Sequence, residues 1–377
     1  MNYFTDIDAA FMREAINLAA KGLGTVSPNP PVGCVIVKNN RVIGRGYHQK
    51  FGEAHAEVNA LADALSNTGG GIDGATAYVT LMPCNHYGKT PPCTEALIRA
   101  GIARVVVAVE DPNPQSAGGA ETLRGHGIAV ETGLLTAEAA EVMSGFLKFH
   151  RTALPHVLLK YAMTLDGKIA HPDGSSKWIS SDRSRDYVQI LRMRSDAIMI
   201  GSGTALQDQP RLNVRNVALP QPKRVIIDSQ LHLTANMPLF AHTGGEFILI
   251  HALEKPDAKA ITLKNIGVTL FSCPAPRENG QPPRVDLYQA LRTLAGEFGV
   301  RQVLCEGGAR LNAALVRARL ADAAAVFIAP KILSGSGISP TEGDNTYAID
   351  QAPRLVDTEV KTFDRDVYIR GKIEYLS

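Results

Sequence analysis

The sequence predicts an α/β protein made of two successive domains, and three observations predict it. Helical and strand periods of apolar residues alternate from end to end, the pattern of helices packed on a sheet. The 377 residues are 45% hydrophobic and 20% charged, enough apolar material for two cores in an ordinary globular balance. The pattern also restarts at residues 151–156 (RTALPH), where the strand HVLLKYAM follows a short linker. Domains of 1–150 and 151–377 are therefore expected.

The first segment reads as an amphipathic helix with Phe11, Ala15, Leu18 and Ala19 on one face. Residues 32–37 and 41–47 are two strands across the Lys38-Asn39-Asn40 turn. A helix from about Ala54 to Leu65 follows, with Ala54, Val58, Leu61, Ala62 and Leu65 on its expected inner face, and the GGGIDGA segment ends it. ATAYVTL is the next strand, Thr94 to Ala100 a helix, and ARVVVAV a buried-type strand. After DPNPQSAGG come a short helix, the strand IAVETG and one helix running to about His150. In the second half, strands are expected near 157–163, 196–201, 223–228, 246–251, 267–271 and 301–305, with surface loops at 218–222 and 274–284.

Charge and cysteine use narrow the function. Lys and Arg number 39 against 37 Asp and Glu, a net +2, and residues 1–150 alone carry 11 against 14, or −3. A nucleic-acid-binding domain shows a basic footprint, and none is present here. The N-terminal stretch has acids where a secretory signal has a basic region, and no apolar run is long enough to span a bilayer. Cys34, Cys84, Cys93, Cys273 and Cys305 form an odd, scattered set that suits a reducing cytoplasm, where cysteines more often hold metal or do chemistry.

Three stretches carry the first chemistry: Pro28-Asn29-Pro30-Pro31-Val32-Gly33, His55-Ala56-Glu57, and Pro83-Cys84 with Cys93 nine residues on. One imidazole and two thiolates are ligands that zinc accepts in a tetrahedral site, and three protein ligands leave one position for water. Such a site lowers the pKa of that water to roughly 7. Glu57, two residues past the histidine at a helix start, is placed to shuttle a proton. Cys93 also sits at a helix start, where backbone N–H groups favour thiolate. Taken singly, each residue has a plainer reading as a surface histidine, a helix-terminal acid or a buried small side chain. As an ordered set they match the H-x-E…P-C…C signature of zinc nucleobase deaminases. Two rivals stay open: a nucleic-acid base deaminase, and a zinc-stapled binding protein with Cys34 as a fourth ligand.

HAEVNAL, VTLMPCNHYGKTPPCTEALI and SPNPPVGCVIV resemble the deaminase half of the bifunctional riboflavin-biosynthesis proteins of the RibD type, and the order of motifs matches along essentially the whole chain. The resemblance implies a cytidine-deaminase-like zinc domain followed by a dihydrofolate-reductase-like α/β reductase domain. It implies one zinc ion held by His55, Cys84 and Cys93, with Glu57 as acid and base. Asn29, His48, His86 and Lys89 would contact the pyrimidine and its phosphoribosyl arm, a lysine being a point charge for phosphate. The family usually has Leu-Glu-Pro-Cys before the first thiolate, whereas this chain has Leu81-Met82-Pro83-Cys84.

The second half has no G-x-G-x-x-G: Gly201 and Gly203 follow an apolar strand, but Leu206 holds the third position. Glu306-Gly307-Gly308 before a helix is either a phosphate-approaching turn or an ordinary β–α turn. LKYAMTLDGKIA, KWIS, residues 191–215, RVIIDS, LCEGGARLNAAL and APKIL resemble the reductase half, in order. By that resemblance Ala162, Trp178, Thr204, Asp208, Ser229, Gly308, Ala309, Arg310, Leu311, Asn312, Ala313 and Ala314 would line NADPH, although a lone tryptophan can equally be core. Lys160, Ser176, Arg192, Leu212, Arg215 and Glu306 would hold substrate, with Arg192 and Arg215 expected as a phosphate clamp. The implied function is zinc-dependent deamination of 2,5-diamino-6-(5-phosphoribosylamino)pyrimidin-4(3H)-one, then NADPH-dependent reduction of the ribosyl group to 5-amino-6-(5-phosphoribitylamino)uracil. The implied partners are phosphoribosylated pyrimidines and further copies of the chain through the reductase domain, with no nucleic acid and no membrane.

Overall fold

Two separate sheets form in the computed structural model, five-stranded within Met1–Ala153 and nine-stranded within Leu154–Ser377. Residues 1–3, 89–90, 217–219, 256–257, 277–281, 344–346 and 377 lie outside the described residues.

The first unit runs α1 (Asp6–Ala19), β1 (Gly33–Lys38), β2 (Arg41–Tyr47), α2 (Ala56–Thr68), β3 (Thr76–Leu81), α3 (Cys93–Arg99), β4 (Arg104–Val109), α4 (Gly119–Gly125), β5 (Ala129–Thr132), α5 (Thr136–Val142) and α6 (Ser144–Thr152). Its strand order is β2-β1-β3-β4-β5, antiparallel among the first three and parallel thereafter. A capping box starts α1: the Asp8 N–H donates to Thr5 Oγ1 and the Thr5 N–H to the Asp8 carboxylate. Burial alone would raise the Asp8 pKa, but donors from Thr5, Tyr78 and Arg104 hold it well below the usual carboxylate range. The β1–β2 hairpin turns on Asn39 and Asn40 at φ 52° and 57°, the left-handed pair that such a tight turn needs.

The inner face of α2 is not the one expected. Ala56, Ala60, Leu61 and Ala64 are buried, while Ala62 and Leu65 face solvent. The cause lies in β2, where a Cβ on Gly44 would stand 2.3 Å from the Ala60 carbonyl and one on Gly46 2.3 Å from the Ala60 nitrogen. The helix therefore seats its alanine stripe directly on glycine backbone. The single helix expected up to His150 is two helices, α5 and α6, broken at Met143.

The second unit runs β6 (His156–Thr164), α7 (Asp182–Met193), β7 (Ala197–Gly201), α8 (Ser202–Asp208), β8 (Lys223–Ile227), β9 (Phe247–His251), α9 (Ala258–Asn265), β10 (Thr269–Ser272), α10 (Leu287–Gly296), β11 (Gln302–Cys305), α11 (Ala309–Arg317), β12 (Ala323–Ala329), β13 (Arg354–Phe363) and β14 (Asp366–Glu374). The order is β10-β9-β8-β7-β11-β6-β12-β14-β13, parallel up to β12, with β14 and β13 antiparallel at the far edge. The last three strands were not among those expected. In β12, AAAVFIA, the alanines favour helix by propensity, but the strand is buried between β6 and β14 and the tertiary setting decides.

Candidate active sites

In the first unit, His55 is the N-cap of α2, Cys93 opens α3, and Cys84 lies just past β3. These termini bring three ligand atoms together: His55 Nδ1 is 3.2 Å from Cys93 Sγ and 3.5 Å from Cys84 Sγ. Ligand atoms 2.0–2.3 Å from a tetrahedral zinc would stand about 3.5 Å apart, so the set fits that ion. The hydrogen bond between the two cysteines pulls the Cys84 thiol down and, with burial, pushes Cys93 up, so without a metal the thiolate forms first on Cys84 and not on the helix-opening Cys93. Cys34 is not part of the cluster, which leaves three ligands rather than four among the described residues.

His55 and Cys84 border a cavity of about 220 Å³. Glu57 is buried in the first turn of α2, and burial, together with the Cys84 sulfur, pushes its carboxyl up to about 7. His48 is fixed by two contacts: Nδ1 lies 3.0 Å from the Ala54 carbonyl and Nε2 3.2 Å from Asn29 Nδ2. A carbonyl only accepts, so Nδ1 carries the proton. Burial lowers the pKa of the ring and keeps it neutral, and Nε2 accepts from the Asn29 amide. Asn29 Oδ1 is thereby presented as an acceptor. His86 also borders the cavity, and its buried Nδ1 has no hydrogen-bond partner, a cost that a ligand would relieve. Lys89 lies outside the described residues. Sequence reasoning passed over Asp111, Asn113, Ser116 and Phe146, which complete the wall; the DPNPQS stretch reads locally as a turn, and only the sheet brings it to the cavity.

In the second unit the expected residues gather at the C-terminal ends of the parallel strands, where open α/β sheets bind ligands. Lys160 and Ala162 are on β6, Thr204 and Asp208 on α8 after β7, Ser229 after β8, and Glu306 after β11. Gly308 caps α11, and a Cβ there would stand 3.0 Å from Thr204 Oγ1, so the bare glycine lies close against the start of α8 and keeps the cradle between the two helix starts open. That cradle, with the bare N-terminus of α11, fits the phosphates of a dinucleotide. Asp208 is half-buried, and burial raises its carboxyl.

The two arginines expected to clamp a phosphate have different partners. Arg192 grips Glu306 with both edges, Nε to Oε1 at 2.6 Å and Nη2 to Oε2 at 3.0 Å, and its Nη1 donates to the Asn213 carbonyl. Lys160 Nζ stands 3.8 Å from the same carboxylate. Burial opposes the charge on Glu306, but the two cations hold its carboxyl at about 2. Arg215 is instead exposed, 3.8 Å from Asp186. Several expected contacts have committed side chains. Leu212 and Leu311 pack into the core, and Asn312, fully buried, donates to the Pro340 carbonyl. Ser229 Oγ accepts from the Val285 N–H. Trp178 is not core: it is 60% exposed, with the Arg185 guanidinium 4.4 Å from its ring. Ser176 is half-buried, Ala309 buried, Arg310 exposed, and Ala313 and Ala314 half-buried.

Comparison with known proteins matches each half of the chain to a described region. Residues 5–109 match the cytidine and deoxycytidylate deaminase zinc-binding region, and residues 155–369 match the RibD C-terminal domain. The chain is 40% identical to the riboflavin biosynthesis protein RibD of Actinobacillus pleuropneumoniae over 97% of its length and 94% of that protein. It is 39% identical to RibD of Escherichia coli K12, covering 96% of this chain and 98% of that one. The structure superposes on Acinetobacter baumannii RibD with a TM-score of 0.84 at 38% identity, covering 98% of this chain and 99% of the other. A Thermotoga maritima diaminohydroxyphosphoribosylaminopyrimidine deaminase/5-amino-6-(5-phosphoribosylamino)uracil reductase gives the same TM-score, 0.84, at 35% identity and the same coverage, 98% and 99%.

Proposed function

We propose a residue-level mechanism from the premise that this chain belongs to the RibD family and is a bifunctional deaminase and reductase of riboflavin biosynthesis. Its substrates are small phosphoribosylated pyrimidines. The observation that carries the deaminase half is the His55–Cys84–Cys93 cluster beside a buried carboxyl in one cavity. His55, Cys84 and Cys93 hold one zinc ion, which when bound supplies a Lewis acid that lowers the pKa of water to roughly 7. Glu57, buried beside the ligands, takes one proton from the attacking water and delivers it to the departing amine; as the carbon–amine bond breaks and the carbonyl forms, ammonia leaves and the water's second proton ends on the adjacent ring nitrogen. Asn29, oriented by neutral His48, offers Oδ1 to a ring N–H. His86 offers its unpartnered nitrogen, and Lys89 a charge for the phosphate.

In the reductase half the cofactor is NADPH, which supplies the hydride that opens the ribosyl ring to a ribityl chain. Gly308 to Ala314, with Thr204, Asp208, Ser229, Ala162 and Trp178, form the cofactor site, in which Leu311 and Asn312 act by packing. Glu306 stays ionised between Lys160 and Arg192 and accepts hydrogen bonds from sugar hydroxyls. Arg192 orients Glu306, and the exposed Arg215 is the phosphate cation. Ser176 and the backbone of Leu212 complete the substrate wall. Free thiols at all five cysteines support a reducing cytoplasm, and no helix among the described residues is long and apolar enough to cross a membrane. Association through residues 154–377 is part of the same reading and is checked by light scattering.

The test is turnover of the phosphoribosylated diaminopyrimidine by purified protein, with ammonia and NADPH followed separately. Ammonia release should precede NADPH oxidation, and chelating zinc should abolish both on this substrate while sparing oxidation on the deaminated intermediate. NADPH oxidation without ammonia would refute the order.

A further inference from the structure

We propose that Asp111 reads the substrate in the deaminase cavity: its carboxylate accepts a hydrogen bond from the 5-amino group or a ribose hydroxyl of the phosphoribosylated pyrimidine. The inference rests on the deaminase reading above and adds a residue to it. Leu81 and Val109 are register partners in β3 and β4, and the Met82 N–H donates to the Val109 carbonyl at 2.9 Å. The two strand ends therefore deliver Cys84 and Asp111 side by side to the same cavity wall.

Asp111 is anchored rather than free to swing, because the Asn113 N–H donates to its Oδ1 at 2.9 Å, and the Ser116 side chain stands beside the carboxylate and favours its charged form. That turn alone is an ordinary Asx arrangement. It does not explain why an acid lines a cavity with Met82 in its wall, where a charge loses solvation. An ionised carboxylate has about four acceptor positions and no donor, and the two contacts above leave the rest for a ligand. The substrate is rich in donors: it carries two amino groups, a ring N–H and sugar hydroxyls. Met82 offers that wall only a thioether, a weak acceptor, so Asp111 supplies the strong one.

Ammonia release by the zinc-loaded protein is measured for wild type and Asp111→Asn on the full substrate and on its 5-deamino, 2′-deoxy and 3′-deoxy analogues. Asp111→Asn should lower kcat/KM on the full substrate by about ten- to a hundred-fold. The loss should shrink to a few-fold on the one analogue that lacks the contacted donor, which also identifies it. An equal loss on all four compounds would mean that Asp111 only shapes its turn, and unchanged kinetics would equally overturn the proposal. If Asp111→Asn does not fold, Asp111→Ser retains an acceptor for the Asn113 N–H and carries the same comparison. A wild-type protein that releases no ammonia would instead defeat the deaminase reading itself.

Discussion

In the first unit the reactive groups face an open cavity with their functional valences unspent. Three ligand atoms point at one another, a carboxyl sits near neutrality, and a histidine nitrogen has no partner. In the second unit the corresponding groups are already engaged: Glu306 is gripped by Arg192 and approached by Lys160. The difference follows from what each reaction asks of the protein. Hydrolytic deamination needs a group that gains and loses a proton, and the Glu57 carboxyl is buried beside the metal-type cluster instead of being gripped by an arginine or lysine. Hydride transfer leaves the hard step to the cofactor, so the protein supplies a braced, fixed charge and a cradle for phosphates.

Replacing Glu57 by Gln breaks the comparison on its first side and should have the largest effect. Ammonia release should fall about a thousand-fold, while NADPH oxidation on the deaminated intermediate continues at the wild-type rate. A variant that kept its ammonia rate would remove Glu57 from the chemistry.

Replacing Glu306 by Gln tests the second side and should leave two buried cations without their anion. The second unit should lose about 3 kcal/mol of stability, the usual cost of stripping one partner from a buried ion pair, together with its reductase activity. Calorimetry and NADPH oxidation read the two losses, and ammonia release should be spared. The pH dependence has a definite sign. Glu306 has its folded pKa lowered to about 2, so its contribution is full above the unfolded value and is lost as pH falls from about 4 through 2. Wild type should therefore lose stability in that window by more than Glu306→Gln does, and equal acid sensitivity would sink the braced-charge account.

The smallest effect sharpens the separation of the units. Thr5→Ala removes the side-chain half of the α1 capping box and should cost about 1 kcal/mol, read as a lower melting point of the first unit only. Reductase turnover on the deaminated intermediate should not change.

The metal-type site was legible because its residue types are few and its spacing short. His55 and Glu57 share one helix start, and zinc accepts only certain donors, so order and identity sufficed. The cavity wall was not legible in the same way, since Asp111 and Ser116 belong to a turn whose local sequence has an adequate structural reason to exist. The partner of Arg192 was not legible, because Arg192 is on α7 and Glu306 follows β11, 114 positions away. The edge strands β13 and β14 and the alanine-rich β12 escaped periodicity, the last because burial outweighed helix propensity.

What the sequence determined by itself was the α/β class, the two-part organisation and the His55, Cys84 and Cys93 set that the fold gathers into one metal-type cluster, all of which depend on local period and residue chemistry. What only the tertiary structure decided was which face of α2 is buried, which group each arginine spends itself on, and which carboxylates share a cavity. Those depend on strands and helix ends remote in sequence meeting in space, where a missing Cβ at Gly44 or Gly46 sets how closely two backbones approach. No local pattern encodes that distance.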